Sequence, residues 1–178
     1  VYALERMEKS QDLLFVTGRA GTGKSTLLQL FRQTTHKKVA VLAPTGVAAL
    51  NVKGQTIHSF FGFPPRLMDP QRDIKKRRYR KLYEQLDAII IDEISMVRAD
   101  LLDGVDSVLR RYRRSNLAFG GVQLLLIGDL HQLRPCQRGG RGDGDFTGFD
   151  RQRDDTTADR GADLRFGALF ACVAEYRE

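Results

Sequence analysis

Four predominantly apolar runs punctuate the chain: Leu13-Leu14-Phe15-Val16, Lys38 to Ala43, Leu86 to Ile91 and Val122 to Ile127. None alternates with polar residues, as a strand with one wet face would, so each predicts a strand covered on both faces. Between the runs the apolar period changes to that of a helix. Lys24 to about Gln33 follows this pattern, as does Arg98 to Arg111, with Leu101, Leu102, Val105, Val108 and Leu109 on one stripe. Tyr2, Leu4 and Met7 predict a helix ahead of the first strand. Pro44-Thr45-Gly46 stops the second strand before a short helix at Val47-Ala48-Ala49-Leu50. Strands alternating with helices give an α/β fold, a three-layer sandwich around a mainly parallel sheet.

The pattern ends abruptly. From Gln137 to Arg165, Gly, Arg and Asp dominate, with Leu164 almost alone among aliphatic residues, and the composition predicts disorder. Three regions follow: a folded domain over 1–136, a Gly/Arg/Asp-rich segment over 137–165 and a short remnant over 166–178, where Phe166-Gly167-Ala168-Leu169 is apolar again. An RGG-like tract can bind RNA or single strands, but the interspersed Asp residues cancel most of its charge. Glu- and Lys-rich codons read one base out of frame yield Arg and Gly, so text beyond about Leu133 is a candidate for a frameshift.

With 178 residues and 42% hydrophobic content, the chain can bury one core. Its formal net charge of +7 leans toward a polyanionic partner. The most basic stretch runs from Arg66 to Lys81, and it reads either as a solvated helix or linker face or as a contact to a phosphate backbone. Cys136 and Cys172 form no CxxC pair, which points away from a zinc site or disulfide framework and toward a reducing compartment. No apolar run approaches membrane-spanning length and no signal-peptide core opens the chain. A soluble, intracellular protein without a membrane partner is expected.

Chemistry enters directly after the first strand. Gly18-Arg19-Ala20-Gly21-Thr22-Gly23-Lys24-Ser25-Thr26 opens the helix that follows, which is the context a phosphate-binding loop requires. Glycines let successive backbone N–H groups converge on phosphate oxygens at a helix N-terminus. Lys24 would reach the β- and γ-phosphates, Ser25 would ligate Mg²⁺, and Thr26 backs it as a second hydroxyl. An ordinary Gly-rich turn has no need of Gly-Lys-Ser at that spacing. Residues Gly18 and Ala20 to Thr26 are therefore candidates for binding a nucleoside triphosphate.

The third strand ends in Ile91-Asp92-Glu93. A Mg-dependent triphosphatase needs such carboxylates opposite its loop: Asp92 to hold Mg²⁺ and Glu93 to orient and deprotonate the attacking water. Two acids after a strand can also simply cap the next helix. The fourth strand closes with Gly128-Asp129-Leu130-His131-Gln132-Leu133, where the Gln132 amide could accept from the hydrolytic water and donate to the γ-phosphate.

In this order the segments resemble the PIF family of DNA helicases, relatives of RecD. The resemblance covers about Val1 to Pro135. It rests on the loop from Gly18 to Ser25, Ala43-Pro44-Thr45-Gly46-Val47-Ala48-Ala49, Gly54-Gln55-Thr56-Ile57-His58-Ser59-Phe60-Phe61, Asp92-Glu93-Ile94-Ser95-Met96 and Gly128 to Leu133. It implies a RecA-like P-loop motor domain that binds ATP and Mg²⁺. Lys24, Glu93 and Gln132 would serve hydrolysis, and Ser25 and Asp92 the metal. It further implies five-prime to three-prime movement on single-stranded or forked DNA, with Thr45, Gly46, His58 and Phe60 as contacts, although core packing of a short helix would equally explain His58 and Phe60. Roles in DNA repair, recombination and telomere maintenance follow from the same resemblance. The sequence leaves the oligomeric state open, with a monomer the expectation, and the compartment is a bacterial cytoplasm, or the nucleus or mitochondrion of a eukaryote.

The chain departs from the family pattern at Leu133-Arg134-Pro135-Cys136, where two prolines and a valine are usual, and no pattern of a second motor domain follows. The arginines that such a domain brings to the γ-phosphate have no counterpart here, and the adenine-recognising glutamine motif would precede Val1. Two other classes compete with a motor domain. One is a truncated module that holds nucleotide without turning it over. The other is a loader ATPase, against which the Thr56 to Phe61 text argues.

Overall fold

The computed structural model describes residues 2–67 and 80–129. Gln132, both cysteines, the Gly/Arg/Asp tract and most of the basic stretch lie outside the described residues. The chain divides into two units, Val1–Pro135 and Cys136–Glu178, and every described residue belongs to the first.

In chain order the elements are α1 (Tyr2–Lys9), β1 (Leu14–Thr17), α2 (Lys24–Thr34), β2 (Val39–Ala43), α3 (Gly46–Asn51), β3 (Gln55–Thr56) and α4 (Ile57–Phe61). There follow α5 (Arg80–Gln85), β4 (Ala88–Ile91), a 3₁₀ turn (Ile94–Met96), α6 (Ala99–Arg113), a second 3₁₀ turn (Ala118–Gly121) and β5 (Gln123–Gly128). The five strands form one sheet in the order β1-β5-β4-β2-β3. All four pairings are parallel. The four apolar runs supply β1, β2, β4 and β5, and the expected mainly parallel sheet is found.

Register aligns the side chains into rows. Val41, Ile90, Leu125 and Leu14 stand side by side across four strands. With Met7 of α1 and Leu28 and Phe31 of α2 they build one core layer. Because side chains alternate along a strand, Ile89, Ile91, Leu124 and Leu126 face the other way, and they are equally buried. The stripe Leu101, Leu102, Val105, Val108 and Leu109 of α6 is also buried and belongs to no part of the first layer. Helices therefore cover both faces, and the sheet edge where strands end is left for polar chemistry.

Two polar devices fasten the layers. Lys37 donates to the carbonyls of Met7 and Ser10, both at 2.9 Å, and to Gln123 Oε1 at 2.7 Å, which ties α1 to the start of β5. Arg113 donates to the carbonyls of Tyr83, Glu84, Leu86 and Gly120 at 2.8–3.1 Å. It thereby closes the open C-terminal carbonyls of α5, where a cation is also favoured by the helix dipole.

An aromatic cluster holds α4 in place. Phe61 stacks on Phe63 and on Tyr83, with centroids 5.3 and 5.5 Å apart. Tyr83 in turn touches Tyr112 at 5.3 Å, and its hydroxyl donates to the Phe60 carbonyl at 2.9 Å. No helix among the described residues is long and apolar enough to cross a membrane.

Candidate nucleotide site and single-strand face

The loop from Gly18 to Gly23 joins the end of β1 to the start of α2. Gly21 and Gly23 have φ of +79° and +90°, a backbone that side-chain-bearing residues rarely adopt. At Gly18 the requirement is space, since a Cβ would lie 2.6 Å from Thr22 Oγ1. Thr22 pins the turn by donating its hydroxyl to the Arg19 carbonyl at 2.8 Å. Gly23 precedes the first residue of α2 without any side-chain cap, so the free N–H groups of that turn stay open to an anion. Ala20, Thr22, Ser25 and Thr26 are exposed around this mouth, and Lys24 is half-buried beneath it. The Lys24 ammonium donates to the carbonyls of Gly18 and Arg19, the second at 3.0 Å.

Strand β5 lies between β1 and β4, so the loop and the acidic pair emerge on either side of it. The register pairs Thr17 with Gly128 and Ile91 with Leu126, which sets Asp92 and Glu93 level with the end of β1. Burial pushes both carboxyls above their ordinary range. Glu93 is raised further by its neighbours Asp92 and Asp129, whereas the Lys24 ammonium pulls both acids back down. Lys24, Asp92, Glu93 and Asp129 thus share one electrostatic neighbourhood. Asp129 is itself buried, and its part in this cluster was not legible in the sequence, where it read only as one letter of a motif.

Backbone geometry aims Glu93. Asp92 N–H still donates to the Leu42 carbonyl at 2.9 Å, continuing the ladder, but Glu93 turns left-handed at φ 53° and leads into the 3₁₀ turn. That conformation is uncommon for a residue with a side chain. The turn sits against the end of β5: a Cβ on Gly128 would lie 2.8 Å from Ile94 Cγ2. Ser95 Oγ is buried there without a hydrogen-bond partner among the described residues.

The donor set fits Mg-ATP. The loop offers N–H groups and a lysine for phosphates, Ser25 a hydroxyl and Asp92 a carboxylate for a hard cation that takes few protein ligands, and Glu93 a carboxylate of raised basicity.

On the far side of β4, strand β2 ends at Ala43, paired with Thr56 of β3. Thr45 caps α3 by accepting from the Ala48 N–H at 3.2 Å, and Thr56 caps α4 by accepting from the Ser59 N–H at 3.1 Å. These caps bring Thr45, Gly46 and His58 to one edge of the sheet. His58 is half-buried, and burial first, then Arg98, hold its imidazole toward the neutral form. Phe60 lies edge-on against Phe61 at 4.9 Å and Tyr83 at 5.7 Å, so packing employs much of its ring, and it remains half-exposed.

A glycine-bearing loop at a helix start, a lysine beneath it and two acids on the other side of β5 in a parallel sheet define a RecA-like P-loop nucleotide-binding domain. The chain belongs to the PIF1-like helicase family, whose model matches residues 3–147. This match runs past the compositional break at Gln137. The ATP-dependent DNA helicase PIF1 of Saccharomyces cerevisiae is 41% identical over 134 residues, covering 70% of this chain and 16% of that protein. The ATP-dependent DNA helicase Pif1 of Bdellovibrio bacteriovorus is 33% identical over 190 residues, covering 94% of this chain and 43% of its own length. Among solved structures, a Bacteroides Pif1 helicase in complex with ADP-AlF3 and single-stranded DNA superposes with a TM-score of 0.70 at 40% identity, over 77% of this chain and 33% of that one. The chain therefore spans less than half the length of these relatives.

Proposed function

We propose that this chain is the first motor domain of a PIF1-type DNA helicase, binding and hydrolysing Mg-ATP and contacting single-stranded DNA. The observation that carries the reading is the convergence of Lys24, Asp92 and Glu93 at the ends of β1 and β4. Residues Gly18 and Ala20 to Thr26 bind the phosphates through backbone N–H groups and the Lys24 ammonium. Ser25 and Asp92 hold Mg²⁺, which when bound screens the charge of the phosphate oxygens. Glu93 accepts the proton of the attacking water, and Gln132 senses the γ-phosphate. Thr45, Gly46, His58 and the free part of Phe60 meet DNA. In the intact protein this domain works with a second one, moves five-prime to three-prime on single-stranded or forked DNA, and acts as a monomer.

The test is ATP hydrolysis by the purified chain with and without single-stranded DNA. DNA-stimulated turnover that falls about 100-fold in Lys24→Ala supports the reading, by analogy with the loss of one preorganised charge-stabilising donor. Nucleotide binding without turnover in either form would favour the passive module instead. Unwinding by the isolated chain is not expected, since a two-domain motor works by closing a cleft on ATP.

A second expected result concerns Gly128→Ala. The added methyl pushes on Ile94 and so on the turn that carries Glu93. Turnover should fall about 10- to 100-fold, as small displacements of a catalytic group do, with Mg-ATP affinity held within about twofold because the loop is untouched. Titration of a fluorescent ATP analogue beside steady-state kinetics separates the two.

A further inference from the structure

Three strand ends adjoin at the single-strand face. Thr45 and His58 each lie two residues beyond the paired positions Ala43 and Thr56, and β4, on the other side of β2, continues through its 3₁₀ turn to Arg98. Arg98 is the residue that precedes α6, yet its side chain makes no capping bond there. A guanidinium is the wrong charge for a helix N-terminus, and Ser, Thr, Asp or Asn would serve as cap. Helix stability therefore does not account for it.

What Arg98 does make is a fork to Asp100: Nε donates to Oδ1 at 2.8 Å and Nη2 donates to Oδ2. Both side chains keep access to solvent, 40% for Arg98 and 24% for Asp100. The same planar fork that matches a carboxylate matches a phosphate. Both charges also act on the His58 imidazole, Arg98 lowering and Asp100 raising its proton affinity, which sets the three groups in one neighbourhood.

We propose that Arg98 contacts a backbone phosphate of single-stranded DNA beside His58, and that Asp100 holds its guanidinium in the bidentate pose and tempers its charge. This rests on the reading of Thr45 and His58 as DNA contacts. A phosphate arriving at the exposed side of the fork finds donors already oriented, so less side-chain freedom is lost on binding. Asp100 limits the affinity, as suits a face that must release and rebind.

The experiment is fluorescence anisotropy of a labelled oligothymidylate with the 178-residue chain over a salt series. Arg98→Gln should weaken binding about three- to tenfold near 0.1 M salt and reduce the slope of log affinity against log salt by about 0.7, the value for one contact to a single strand. Asp100→Asn should act in the opposite direction and tighten binding a few-fold. Arg111→Gln removes the same charge from an exposed site in the last turn of α6, at the other end of that helix, and should leave the slope unchanged. Thermal melts and ATP-analogue affinity verify that each variant is folded. The proposal is overturned if Arg98→Gln leaves affinity and slope unaltered while His58→Ala weakens binding, or if Arg111→Gln reproduces the Arg98 effect. Absence of any oligothymidylate binding by the unaltered chain would remove the DNA reading of this face along with it.

Discussion

Glu93→Gln is expected to lower ATP turnover about 1,000-fold, within the range assigned to a positioned general base, while Mg-ATP affinity stays within about threefold because phosphates and metal are held elsewhere. The amide keeps the size and reach of the carboxyl but loses its negative charge and its ability to take a proton. Three features suit the native group to the proposed role of base. Burial raises its proton affinity first, Asp92 and Asp129 add to that, and the Lys24 ammonium tempers the rise. The left-handed backbone at φ 53° breaks the strand direction between Asp92 and Glu93, as the two different roles proposed for these adjacent carboxyls require. Single-turnover hydrolysis with protein in excess reads the chemical step directly. A Glu93→Gln chain that retains a tenth or more of the native rate would remove Glu93 from that role, and Asp92→Asn, which should weaken metal-dependent nucleotide binding as well, serves as the contrast.

The strands that carry this site were legible because burial on both faces leaves them as continuous apolar runs. β1, β2, β4 and β5 each begin and end within two residues of the run that announces them. β3 is different. Gln55 and Thr56 make an edge strand only by pairing with Leu42 and Ala43, and two polar residues carry no periodic signal of their own. Helix α5 was hidden for a related reason: Arg80-Lys81-Leu82-Tyr83-Glu84-Gln85 reads as the end of a charged stretch, and its helical state depends on Tyr83 reaching Phe61 and on Arg113 closing its last carbonyls. Such partners lie 22 to 30 residues away in the chain, beyond any local pattern. The same holds for strand order. That β5, the last of the described strands, lies between β1 and β4 is what brings Asp129 beside Glu93, and nothing local in Gly128-Asp129 foretells it.

The motif residues were legible as chemistry and less so as geometry. Spacing alone identifies Gly18 to Thr26, whereas the left-handed backbone at Glu93 and the contact of Ile94 over Gly128 arise from tertiary packing. Phe60 shows the converse. Its motif implies a DNA contact, and the structure spends much of its ring on Phe61 and Tyr83, so whatever it offers DNA it offers from a fixed position.

That fixed position depends on Tyr83, and Tyr83→Ala is expected to cost about 3–5 kcal/mol, the usual penalty for emptying a large buried aromatic site. Tyr83 is fully buried, stacked on Phe61 and in contact with Phe60 and Tyr112. Removing its ring strips three neighbours of their partner and leaves the Phe60 carbonyl without its donor. Against a total stability of about 5–15 kcal/mol, such a loss is a large fraction, and it should appear as a fall of about 10–20 °C in the melting temperature. Tyr83→Phe keeps the stacking and loses only the hydroxyl, for about 1 kcal/mol. Because that hydroxyl anchors α4, which carries His58, the conservative variant should weaken oligothymidylate binding more than its small thermal shift suggests, with ATP-analogue affinity unchanged. A melting temperature lowered by less than about 3 °C in Tyr83→Ala would mean that α5 is not part of the cooperative core and that α4 is held by β2 and β3 alone.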